Sequence, residues 1–149
     1  MKRIPYWIQR ADFSATDYDP IEVADGIRAF ERHDWRGELD LYSELESNGA
    51  ECCPPGIGFV AADGTILHIC PNSDGRATVH YHFTGTLKFF GLIPIPRSIV
   101  ETRHDMTRSE VLELIGFFFG GVTIGSCRNW DGLTSPCSLR PSAAADTKR

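Results

Sequence analysis

The chain has 149 residues, 42% of them hydrophobic and 23% charged, with a formal net charge of −5. That length suits one domain with its own core, and the composition excludes wholesale disorder and a fibrous repeat. Charge is uneven: residues 1–63 carry 6 Lys+Arg against 13 Asp+Glu, with no basic stripe elsewhere to offset them, which argues against nucleic acid as a partner.

The N-terminal IPYWIQ reads as a short first strand, and its apolar run is too short for a secretory leader. DFSATDYDP then reads as a polar turn ending in a helix start, with Asp19 as N-cap and Pro20 at the first helical position. Val23, Ile27 and Phe30 recur at helical spacing, so the first helix is expected from Pro20 to about His33. Gly26 weakens it. DWRGELDLYSELESNGA predicts a second, surface helix with Leu41, Tyr42 and Leu45 on one stripe and Gly49 as a left-handed stop. Pro54-Pro55 ends helical structure there.

From Ile57 the period changes to two. Asp63-Gly64 predicts a two-residue hairpin between IGFVAA and TILHIC. A second turn, PNSDGR, leads into the clearest alternation in the chain, Ala77 to Phe89 or Phe90. IVETRHDM predicts a further strand, and GLIPIPRS before it reads as an apolar loop. Thr107 to Glu110 is a capping box opening a helix with Val111, Leu114, Ile115 and Phe118 on one face. VTIGSC reads as a last short strand. The expectation is an α+β fold: an antiparallel sheet of four to five strands built from consecutive hairpins, two helices before it and one after, packed mainly on one face. One domain is expected over 1–135, with a flexible tail over 136–149.

The chemistry concentrates in LHICPNSDGRATVHYHF. With Gly75 at the left-handed position of a three-residue loop, paired positions sum to 148, so His68 faces His80 and Leu67, Ile69, Val79 and Tyr81 share the core face. His68, His80, His82 and Cys70 then share the other face. A two-residue loop at Asp63-Gly64 would pair positions summing to 127, placing Ile57, Phe59 and Ile66 as an apolar pocket wall beside the histidines. Histidines ~5 to 7 Å apart on a sheet face can converge on zinc or iron, with Cys70 as a fourth ligand. Cys70 and His68, two apart on one strand, are expected to be too separated for a good hydrogen bond.

Other signatures are missing: Asp12, Asp17 and Asp19 lack the spacing of a calcium loop, and there is no nucleophile elbow or dinucleotide fingerprint. FFGLIPIP needs a cover, and Phe89, Phe90, Leu92 and Ile93, with Trp35 and Tyr42 beside the acidic helix, are the candidate partner contacts. Cysteines at 52, 53, 70, 127 and 137 are odd in number and without a leader, which predicts reduced thiols in the cytoplasm. No apolar run reaches the ~20 residues of a membrane span.

The reading is a non-catalytic soluble interaction protein of accessory, inhibitor or immunity type, without a cofactor, holding a protein partner or a second copy of itself. Its acidic half and apolar loop would make the contact. The alternative is a metal-dependent or thiol enzyme with zinc or iron at the His/Cys face.

Overall fold

In a computed structural model of the chain, residues 2–91 and 93–121 are described, except for the side chains of Leu87 and Phe89. VTIGSC, Cys127, Cys137 and the tail expected over 136–149 lie outside the described residues. The elements follow the order β1 (Ile4–Gln9), β2 (Ala15–Ile21), α1 (Val23–Arg32), α2 (Trp35–Ser47), β3 (Gly56–Val60), β4 (Ile66–Pro71), β5 (Ala77–Phe89), β6 (Ile93–Met106) and α3 (Arg108–Phe119). They form one antiparallel sheet of six strands in the order β2-β1-β3-β4-β5-β6. The α+β class stands, with one strand more than expected.

The added strand is β2, where a helix start was expected. Arg10 N–H donates to Ser14 O (2.8 Å), Phe13 takes a φ of 65°, and Asp12 Oδ1 accepts from Ser14 N–H (3.0 Å), turning the chain back onto β1. Asp19 and Pro20 therefore lie in a sheet edge, where a proline nitrogen facing outward costs no ladder bond. Helix α1 begins three residues later than expected, and Glu22 at its N-cap makes no side-chain cap.

Both short hairpins use the same loop. Asn72 N–H donates to Arg76 O (2.7 Å) and Gly75 has a φ of 80°; Ala61 N–H donates to Thr65 O (2.8 Å) and Gly64 has a φ of 82°. The first turn is thus a three-residue loop, Ala62-Asp63-Gly64, not the expected two-residue one, and its register shifts by one. Phe59 faces Leu67 and Gly58 faces His68. The second register is as expected, with His68 opposite His80.

The core lies on one face of the sheet. Ile4, Ile8, Ile57, Phe59, Leu67, Ile69, Val79 and Tyr81 meet Phe30 of α1 and Val111, Leu114, Ile115, Phe118 and Phe119 of α3. Gly26 permits close contact between these helices, since a Cβ there would lie 2.9 Å from Phe119 Cζ. Thr107 caps α3 reciprocally with Glu110: Thr107 N–H donates to Glu110 Oε2 (2.8 Å) and Glu110 N–H to Thr107 Oγ1 (3.4 Å). By contrast, no residue of α2 is buried, so its Leu41, Tyr42 and Leu45 stripe is only partly covered.

The apolar stretch expected as a loop is mostly strand. Strand β6 starts at Ile93 and pairs with β5 from Phe89↔Ile93 back to Ala77↔Met106, whereas β4 accompanies β5 only from Ala77 to His82. From Phe83 and Ile99 outward the β5–β6 hairpin is a two-stranded arm overhanging the sheet. Phe90 at its tip is 87% exposed, and Ile93 and Ile95 are exposed along it.

Candidate functional site: the uncovered sheet face

Alternation decides what the other face carries. Because Phe59, Leu67, Tyr81 and Val79 point into the core, their neighbours Gly58, His68, His80 and His82 point away from it. The registers line up one row across all six strands: Asp17, Trp7, Gly58, His68, His80, Thr102. A second row runs Val60, Ile66, His82, Val100. Among the described residues, α1 and α3 pack on the opposite face and no helix lies here. Between Trp7 of β1 and Thr102 of β6 these positions hold no Lys, Arg, Asp or Glu.

Two glycines shape the middle. A Cβ at Gly58 would lie 1.9 Å from Trp7 Cη2, so the indole lies across bare backbone and reaches His68, ring centroids 5.7 Å apart. A Cβ at Gly56 would lie 2.8 Å from His68 Nε2, so this glycine makes the space for the imidazole. Trp7, Gly58, Thr102 and His104 were not foreseen as site residues. Their sequence signal is Gly-x-Gly within a strand: glycine inside a strand marks a close approach.

His68 Nε2 lies 3.6 Å from Cys70 Sγ, so the two side chains do reach each other, contrary to expectation; the imidazole turns along the strand into the space over Gly56. Burial pushes the Cys70 thiol up to about 11. Burial, with His80 and His82 nearby, pushes His68 down to about 4. Both shifts favour the neutral forms, so at neutral pH the pair is a thiol beside an uncharged imidazole, the reverse of the thiolate–imidazolium pair that makes a nucleophile.

His80 and His104 bond across strands. His80 Nδ1 is 3.0 Å from Thr102 Oγ1, and His104 Nδ1 is 3.5 Å from Thr78 Oγ1. His80 is also lowered, by burial and by His82 and His104. His68, His80, His82 and Cys70 therefore share one face as expected. Among the described residues, however, no three His, Cys, Asp or Glu side chains are grouped to hold a metal ion. His68 and His80, with ring centroids 5.9 Å apart, are adjacent without a third ligand.

The expected pocket wall is corrected by the register. Ile57 and Phe59 are fully buried in the core on the opposite side, and only Ile66 lies with the histidines, between Val60 and His82. Of the expected partner contacts, Phe90 and Ile93 are exposed on the arm. Trp35 and Tyr42 lie half-buried on α2, distant in sequence from the arm; Leu92 and the Phe89 side chain lie outside the described residues.

Comparison with models of known protein families, with curated proteins and with solved structures finds no match to this chain. No helix among the described residues is long and apolar enough to cross a membrane.

Proposed function

We propose that the protein is a non-catalytic interaction protein, working in the cytoplasm, that holds a protein partner across its uncovered sheet face. The observation that carries this reading is the charge-free row from Trp7 to Thr102, bounded by the acidic edge strand β2 on one side and continued by the β5–β6 arm on the other. Interface centres are depleted of Lys, Asp and Glu and enriched in aromatic side chains, and this row lacks those charges and carries Trp7 at its β1 end. Asp17 and Asp19 would meet basic groups at the partner's rim, while Val60, Ile66 and the exposed Val100 supply apolar contacts beside the row; Ile93 and Ile95, on the other face of the arm with Phe83 and Ile99, lie outside that contact. The accessory, inhibitor or immunity role expected from the sequence fits such a face.

The test places arginines where the partner would sit. Val100→Arg and Thr102→Arg alter exposed positions of β6, so folding should survive, as circular dichroism would verify. Affinity purification from native extract, with sedimentation to detect a second copy, should recover a stoichiometric partner with wild-type protein. The double variant should bind at least tenfold less. Equal recovery by wild type and variant would overturn the proposal, as would an absence of any stoichiometric partner.

A further inference from the structure

A cleft of 590 Å3 opens at the end of the sheet where β4 turns into β5. Its floor is apolar: Phe30, Ala77, Met106 and Val111 are buried, and Trp35 and Leu39 of α2 form a wall. A helix with that many apolar side chains would ordinarily close onto such a floor. Here α2 is tied at its start instead: Trp35 Nε1–H donates to Phe30 O (2.6 Å), and Glu38 Oε1 lies 3.5 Å from His33 Nε2 and 3.6 Å from Arg10 Nε. Trp35 packs against the core beside Phe30, and the cleft lies open beyond it, between Leu39 and the β4–β5 turn.

The rim is charged, and its balance is positive. Arg108 pairs with Glu31, which neutralises both. Arg76 donates to the carbonyl of Asp105 (2.9 Å) and lies near Glu110, whose carboxyl it helps to hold low, without forming an ion pair with it. Arg36 makes no ion pair among the described residues, and the remaining carboxylate on the rim is Asp40. With Arg108 and Glu31 paired, Arg36 and Arg76 against Asp40 leave the lining net positive, on a chain whose first 63 residues are strongly acidic.

We infer that this cleft binds a small amphiphilic anion, its apolar body against the half-exposed Trp35, Leu39 and Pro71 and its carboxylate, sulfonate or phosphate head at Arg36 and Arg76. The volume lies within the range of about 300–1,000 Å3 that accommodates drug-sized ligands. Guanidinium groups suit such a head because their planar donors engage two oxygens at once. The site is separate from the arm: β5 has Ala77 beside the cleft and Phe89 at the arm, ~40 Å apart at ~3.4 Å per residue.

The experiment titrates the full chain with 1-anilinonaphthalene-8-sulfonate, followed by fluorescence, and repeats it with the uncharged N-phenyl-1-naphthylamine. One sulfonate probe should bind per chain, with amide chemical-shift changes over residues 30–40, 71–77 and 106–111. The neutral probe and the Arg36→Glu/Arg76→Glu variant should each bind at least tenfold more weakly. Leu39→Trp, which fills the cleft from its half-exposed wall, should compete with the probe even if the charge variant is unstable. A Phe90→Ser/Ile93→Ser arm variant should bind as wild type does. Unchanged binding by both cleft variants, equal affinity for the neutral probe, no binding, or loss of binding in the arm variant overturns the inference.

Discussion

His68 shows how one side chain links the uncovered face to stability. Its imidazole is accommodated because Gly56 has no Cβ, it meets Trp7 and Cys70, and burial holds it neutral with a pKa of about 4. In the unfolded chain the same group titrates at about 6.5. Between those values the unfolded state binds more protons, so stability rises with pH there and is lost as pH falls. From pH 7 to pH 5 the loss from His68 alone should be about 2 kcal/mol, with His80 adding in the same direction. Urea unfolding at the two pH values, for wild type and His68→Asn, measures it. The variant should lose markedly less than wild type on acidification, and an identical loss in both proteins would mean that His68 is not the group responsible.

At the scale of elements, the two edges of the sheet are protected by different means. Strand β2 carries Asp17, Asp19 and Pro20, and charges on an edge discourage another strand from pairing. Strand β6 carries Pro94 opposite Lys88 and Pro96 opposite Thr86. A proline in a paired strand has no N–H to give its partner, so it is tolerated with its nitrogen toward the free edge, and it leaves that edge short of donors. The exposed apolar arm is thereby kept from adding strands of other copies. Pro94→Thr/Pro96→Thr should leave the circular dichroism spectrum unchanged and increase concentration-dependent aggregation, measured by light scattering. No increase would mean that the prolines shape the arm without guarding it. Helix α3, which carries most of the α-helical core, is held at its start by the reciprocal cap. Thr107→Ala should cost about 1 kcal/mol in urea unfolding, and a cost near zero would show that packing of α3 alone sets its start.

Across the whole molecule, charge and apolar surface are separated in space. The acidic edge strand β2 and the β5–β6 arm lie at opposite edges of a six-stranded sheet, and the uncharged row connects them. A partner spanning that face would meet attraction at its rim and apolar contact at its centre. Rim charges act mainly on the rate of encounter and are screened over about 8 Å at physiological ionic strength. Raising salt from 50 to 500 mM should therefore slow association severalfold while leaving dissociation nearly constant, measured by surface plasmon resonance with the purified partner. A salt effect confined to dissociation would move the decisive charges to the centre.

The sequence alone determined the elements whose signals are local. The alternation from Ala77, the capping box at Thr107–Glu110, and the Gly75 loop that sets His68 against His80 each depend on residues within one turn or strand, and all three stand in the structure. Tertiary structure decided the rest. ATDYDPI has no buried face to impose alternation, so its strand state comes from pairing with β1 and from Tyr18 stacking on Tyr6 at 4.5 Å. One loop residue at Ala62 moved Phe59 from the histidine face into the core, because side chains alternate with a period of two and register cannot shift by half. The bed of Trp7 over Gly58, the uncharged face around it and the cleft beside α2 are juxtapositions of residues far apart in the chain, and no local pattern carries them.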